Sequence, residues 1–353
     1  MNIKYQSAGE DGWNDFVEKS DMGSIFQSNE WTIHPKGEGW VHDLMLLEEK
    51  GEIIAGAMLY WKKIPFLNKN ISKIFYGPIW NSDKNILNTL CEEIIKIGKE
   101  RKAIFVEFQV HLPEYINEEA VEKNAYVHDI FVSNNFRKLP DRTGTYWIDL
   151  EKDEDDIFNH FAKNHRRDIK KGNLEGVQIK IADDPHMVDI FYEYYANLFH
   201  SKKLVPSRKD FFIQGLASLL KTNRCKLFYA EYEGTIYNMA VISLFGNPMY
   251  VWGASIRSEK KPPMGELLHW EIMKWLKTHN FKVYDLGGSP GAIPEKEHPN
   301  YWVWRFKKGF NGDYVEFLPR YRYILSGSQY WLYEKALPLY RNMLSGLLKR
   351  MDS

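Results

Sequence analysis

Two lysines, Lys307 and Lys308, follow directly on Trp302, Val303, Trp304, Arg305 and Phe306. A cation beside such an aromatic wall is held in place and partly stripped of water. There an ammonium stabilises charge developing on a reacting oxygen. The plainer reading is an apolar segment with two solvated lysines, the usual state of that side chain; these residues alone leave both open. Just upstream, Phe281, Val283 and Leu286 have the spacing of a buried strand, stopped by Gly287 and Gly288. Asp285 lies in that strand, either as a reacting group or as the carboxylate that fixes the strand end through backbone hydrogen bonds. Residues 287–291 also match G-x-S-x-G. A nucleophile elbow needs a helix starting straight after the serine, whereas a proline-broken polar loop follows Ser289 here.

A second candidate is basic. Residues 153–171 read as one helix, on which Lys163, Arg167, Lys170 and Lys171 share a face. That stripe suits phosphates; the alternative is a solvated helix end, where the dipole favours cations.

These groups must be positioned by the elements around them. Residues 1–40 open with an acidic, helical entry. Residues 43–48 and 53–61 form a hairpin, 74–76 a strand stopped by Gly77-Pro78, 86–99 an amphipathic helix, and 103–110 a strand. The same order returns as strands 225–231, 236–245 and 249–252, helix 264–277 and strand 282–286. A pattern of elements occurring twice implies a structural duplication. Strand 145–149 and helices 187–199 and 209–220 lie between. The tail, 330–351, is amphipathic but interrupted at Pro338. It either packs back on the first copy or touches a membrane surface.

The 353 residues carry 47 basic and 47 acidic side chains, so no overall field draws the chain onto nucleic acid, and DNA is not expected as a partner. The two cysteines, Cys91 and Cys225, make neither a disulfide framework nor a metal cluster. The first residues lack a signal peptide's apolar core, and no apolar run approaches a membrane span of about 20 residues, so a cytoplasmic protein is expected. There is no Walker-type loop, no spaced glycines of a dinucleotide site and no paired histidines at zinc-protease spacing.

Taken together, Trp31 with Lys36, Tyr76-Gly77-Pro78, the 145–176 stretch, the strands from Phe228 to Trp252, Trp270 with Trp275, Tyr284-Asp285-Leu286-Gly287-Gly288 and Arg305–Phe310 resemble the Fem-type (FemABX) peptidyltransferases. The resemblance spans nearly the whole chain. It implies an α/β fold of two tandem GNAT-like domains with mixed sheets and a cleft between them: 1–144 on the muropeptide side, 145–318 on the catalytic side, and 319–353 as a helical tail on the first domain. It implies transfer of an amino acid from aminoacyl-tRNA to the stem-peptide amine of a nucleotide- or lipid-linked muropeptide (UDP-MurNAc-pentapeptide or lipid II). No metal or cofactor is then required, and peripheral contact with the inner membrane surface is expected.

Carried over by position, Lys307 looks like the oxyanion-stabilising lysine with Phe306 beside it, and Lys36 like the grip on the diphosphate. Trp31, Tyr76, Tyr250 and Trp252 fall among the cleft residues, and Lys163, Arg167, Lys170 and Lys171 would take the tRNA. Two positions depart from the family pattern. Ser207 stands where a diphosphate arginine is expected, with Arg208 one place on, and Gln109 stands where a cleft aspartate is expected. The long helical arm of some members is missing, and no side chain is assigned as the base for the amine. Two other functions stay open. An acyl-CoA N-acyltransferase would share the fold, but its pyrophosphate loop would fall at 258–266, where Pro262 and Pro263 remove two donors. A non-catalytic RNA- or glycan-binding module would use the same aromatic cleft and basic helix.

Overall fold

The computed structural model describes residues 2–6, 12–64, 67–140, 143–256 and 262–335. The chain begins with an edge strand, β1 (Asn2–Gln6), and helix α1 (Trp13–Lys19), then a single helical turn, α2 (Ile33–Lys36). The first repeat follows: β2 (Val41–Glu49), β3 (Glu52–Lys63), β4 (Asn70–Ile74), the short β5 (Ile79–Trp80), α3 (Lys84–Glu100) and β6 (Ala103–Phe108). Asp83 starts α3 by accepting the Asn85 and Ile86 N–H groups. Ile86, Leu87, Leu90, Ile94 and Ile97 bury its inner face. Then come β7 (Pro113–Ile116), β8 (Glu119–Ala120), α4 (Ala125–Ser133) and β9 (Arg137–Lys138).

The second half runs β10 (Gly144–Asp149), α5 (Glu154–His160), α6 (Lys163–Leu174), β11 (Gln178–Ile181), α7 (Met187–Ser201) and α8 (Lys209–Lys221). The repeat returns as β12 (Cys225–Tyr232), β13 (Thr235–Ser243), β14 (Met249–Ser255), α9 (Gly265–Thr278) and β15 (Val283–Asp285). Helix α10 (Tyr301–Lys308) and strands β16 (Asp313–Phe317) and β17 (Tyr321–Ile324) follow.

Two mixed sheets result. One is ordered β1-β2-β3-β4-β6-β17-β9 with β5 on β3; the other is ordered β11-β12-β13-β14-β15-β10-β16-β7-β8. Each repeat is an antiparallel meander closed by one parallel pair, β4 with β6 and β14 with β15, because the connecting helix returns the chain in the same direction. The second pair touches at a single position, Met249 against Asp285, so these strands splay beyond it.

Strand pairing departs from the expected division, 1–144, 145–318 and 319–353, at one place. Strands β7 and β8, from the first half, extend the second sheet, with Val315 opposite Ile116. Strand β17 crosses back into the first sheet, with Arg322 opposite Glu107. Strand pairing, which local sequence does not encode, overrides chain order. The segment 327–335 is helical and packs Tyr330 and Tyr333 on Phe105 of the first sheet; the tail beyond it lies outside the described residues.

Other expectations are corrected. The entry contains an edge strand, whose partner β2 supplies the pairing. The single helix expected over 153–171 is two, because Phe161 and Ala162 are extended and Phe161 turns into the core. The aromatic wall after the polar loop is a helix, α10, with Trp302 exposed (69%) and Phe306 packed inward.

A continuous apolar core ties the halves together. Trp31 stacks on Trp252 at 5.2 Å, and Trp252 meets Phe212 of α8 at 5.0 Å. Arg224 adds ion pairs to Asp15 and Glu18 of the first half.

Candidate active site

The end of β15 makes the floor of the site. Asp285 is 1% exposed, and its carboxylate accepts the Thr145 hydroxyl, the Trp147 indole N–H at 3.1 Å and the Gly287 backbone N–H at 2.7 Å. Asp285 therefore fixes the strand end, as one of the two sequence readings had it. It also faces a cavity of about 370 Å³ where the two sheets meet. Tyr76, His111 and Phe317 line this cavity together with Thr143, Thr145, Met249, Asp285 and the Gly287-Gly288 turn. Tyr76 comes from the turn after β4 and meets the His111 ring edge-on at 5.0 Å. Burial, with the Asp285 charge added, pushes the Tyr76 phenol up to about 12, so it stays protonated.

Lys307 is 5% exposed and projects from the last turn of α10 to the outer side of the Gly287-Gly288 turn. Its ammonium donates to the Gly288 carbonyl at 2.8 Å and lies 5.7 Å from the centre of the Tyr250 ring. Burial lowers its pKa to about 8, against the opposing pull of Asp285. The ammonium thus sits at the splay between β14 and β15, behind the cavity wall rather than in it. Phe306, its neighbour, packs on His269 and Phe310 and has no face in the cavity.

Gly287 is required where it stands. Its φ of +74° is left-handed, and a Cβ there would collide with the Tyr250 carbonyl. Gly287→Ala is expected to lose roughly 1–3 kcal/mol of stability in a denaturant titration, the usual cost of holding a side chain in that conformation. An unchanged unfolding midpoint would contradict the geometry.

Ser289 donates through its hydroxyl to the Gly291 carbonyl, and the next helix starts only at Tyr301, so the G-x-S-x-G match is not an elbow.

The remaining candidates fall in three places. Trp31 and Trp252 border a second, smaller hollow of about 200 Å³ with Phe26, His34, Trp40 and Phe75. At its rim stand Lys36 and Arg208, both exposed and one from each half. Phe211 lies near both segments: its side chain packs on Gly37, next to Lys36 in the chain, and the Arg208 guanidinium lies 5.0 Å from its ring. Ser207 lines the hollow itself, but its carbonyl is taken by the Tyr192 hydroxyl at 2.7 Å. Tyr250 and Trp252 were expected to share the cleft. Opposite them Ile242 pairs with Tyr250 and Val241 with Trp252, so Val251 is a bulge and the two rings enter different cores. Lys163, Arg167, Lys170 and Lys171 do line one hollow, of about 490 Å³, together with Arg166. Arg167 and Lys171 also line an adjoining one of about 610 Å³ at the start of α9.

Gln109 does not reach the cavity. Its amide donates to the Thr143 hydroxyl at 2.5 Å and the Leu318 carbonyl at 3.1 Å, joining β6 to the β16–β17 link. Glu107 pairs with Arg320 and Arg322. The residue that reaches the cavity from this segment is His111, which the sequence reading missed. Its only signal was strand parity with 107 and 109.

A doubled meander–helix–strand unit, splayed at the parallel pair of its second copy, is the architecture of GNAT acyltransferases in tandem. Residues 159–299 match the acetyltransferase (GNAT) domain. The tandem GNAT protein from the clavulanic acid biosynthesis pathway superposes with a TM-score of 0.53 at 10% identity, over 91% of this chain and 98% of its own. Residues 9–218 match the FemAB family, and the chain belongs to that family. The lipid II:glycine glycyltransferase of Staphylococcus epidermidis is 21% identical over 92% of this chain and 93% of its own. That of Staphylococcus haemolyticus is 21% identical over the same shares. The crystal structure of FemX superposes with a TM-score of 0.81 at 18% identity, covering 93% of this chain and 99% of its own.

Proposed function

We propose that this transferase moves an aminoacyl group from aminoacyl-tRNA to the stem-peptide amine of a lipid-linked muropeptide, as the names of its glycyltransferase relatives suggest for the acceptor. The observation that carries the reading is the buried Lys307 ammonium at the splay of the second sheet, next to a cavity that both halves build. An aminoacyl ester is already activated, so the site has to align amine and ester and stabilise the tetrahedral oxyanion. Lys307 is the charge for the second task. The stripe on α6 runs on to the start of α9, which supports a path for tRNA phosphates. The same place weakens the acyl-CoA reading, because Pro262 and Pro263 precede α9 and leave it fewer N–H donors; residues 258–261 of that loop lie outside the described residues.

Among the described residues no helix is long and apolar enough to cross a membrane. A lipid-linked acceptor would therefore meet the described part of the chain at the membrane surface.

Lys36 and Arg208 stand ready for the diphosphate of the acceptor. Lys36→Ala is expected to raise the acceptor KM by about ten-fold, the loss of one charge-assisted hydrogen bond of about 1.5 kcal/mol. The tRNA KM should stay within about two-fold by the same reasoning, since the tRNA stripe lies elsewhere. An unchanged acceptor KM would place the diphosphate away from this rim. The function itself is tested by thermal shift with two ligands: the muropeptide should raise the melting temperature and CoA should not.

A further inference from the structure

We propose that His111, held opposite Asp285, is the general base that takes the proton from the acceptor amine; this rests on the aminoacyl-transfer reading above. The residue follows β6 in the first half, whereas Asp285 ends β15 in the second, so the pair exists only where the halves meet. His111 is 6% exposed and lines the 370 Å³ cavity. Its ring lies 5.0 Å from that of Tyr76 and 4.6 Å from that of Phe317. Neither ring nitrogen has a well-formed hydrogen bond, and Nε2 stands 3.9 Å from Asp285 Oδ2.

A buried imidazole with unpaired nitrogens is an exception among buried polar groups, which are otherwise nearly all paired. Here the ring borders an open cavity, from which a substrate amine would approach it, and the Gly23 backbone is a further polar neighbour. Asp285 cannot swing away, because Thr145, Trp147 and the Gly287 N–H hold it.

The charges around the ring suit a base. Burial favours the neutral imidazole, which is the form that accepts a proton, while the Asp285 carboxylate and the nearby Gly23 backbone favour the imidazolium once it forms. Tyr76, the other titratable group against the ring, stays protonated. Lys307 acts from beyond Asp285, whose charge raises the pKa of both.

The step balances without a further reactant. The amine nitrogen attacks the ester carbonyl carbon, forming the C–N bond while the carbonyl π pair moves to oxygen. The imidazole nitrogen not facing Asp285 takes the amine proton. The oxyanion then re-forms the C=O bond, the C–O bond to the tRNA ribose breaks, and the imidazolium returns its proton to the leaving oxygen. The products are an amide and a free tRNA hydroxyl.

The test is single-turnover transfer by the full chain from a mixed aminoacyl-tRNA pool to a lipid-linked muropeptide, from about pH 4 to pH 9, with melting temperatures recorded alongside. His111→Gln is expected to lose roughly 10²–10⁴-fold in rate, the range for a positioned general base, and to lose the acidic limb of the profile. Imidazole added to His111→Ala should restore part of the rate. A His111→Gln variant with the parent rate and acidic limb overturns the inference. Wild-type protein that transfers nothing rejects the functional reading instead, so the two failures are told apart.

Discussion

Lys307→Met slows transfer by roughly 10²–10³-fold, the loss typical of removing one oxyanion-stabilising group, and the protein stays folded. The ammonium is buried, bonded to the Gly288 carbonyl and set at the splay, so its charge acts where water screens it little. Methionine keeps the length and apolar character of the side chain and removes only the charge and its hydrogen bond. Because burial holds the ammonium near 8, wild-type transfer is expected to fall as pH rises through that value and the charge is lost.

The stability consequence has the opposite sense. In the unfolded chain the lysine keeps its proton up to 10.5, so between about 8 and 10.5 the unfolded state binds more protons and wild-type stability rises with pH. Below 8 the burial penalty is present in full. The methionine variant's relative stability is thus greatest below pH 8, less the lost bond to Gly288, and its margin shrinks toward 10.5. Parent-level transfer by Lys307→Met at pH 7 would remove Lys307 from the chemistry.

Glu107→Ala is expected to cost about 3–5 kcal/mol, the penalty for leaving buried charge without its partner. Glu107 is 4% exposed, on β6; its two carboxylate oxygens accept Arg320 Nη1 at 2.9 Å and Arg322 Nε at 2.9 Å. Arg322 lies opposite it on β17, over the Phe105 ring and against Tyr330. This cluster fastens the returning strand to the first sheet. Urea unfolding measures the loss; a change below about 1 kcal/mol, the scale of a surface pair, would show the cluster to be solvated.

The repeat was legible because it is local. The hairpin turns Glu49–Glu52 and Tyr232–Thr235 sit between apolar strand runs, and α3 and α9 carry clear apolar faces. The placing of β7 in the second sheet was not legible, nor that the tail returns to the first half as a strand: β7 and β17 are four residues each, and distant partners place them. The bulge at Val251 inserts one residue and reverses a face that a period of two had assigned. Lys307 could be picked out by its aromatic surroundings, although Trp302 turned out to be exposed and Tyr250, far upstream, supplies the ring it faces. His111 carried no signal beyond its strand parity, since its partner Asp285 lies in the other half of the chain.

The central claim, that the junction of the two sheets joins an aminoacyl group to a muropeptide amine, is tested most directly by mass spectrometry of the acceptor. Purified protein would be incubated with lipid-linked muropeptide, a mixed aminoacyl-tRNA pool and acetyl-CoA together. The account predicts an acceptor heavier by an amino-acid residue on its stem-peptide amine, dependent on the charged tRNA. An acceptor left unchanged, or one carrying only an acetyl group, would contradict it.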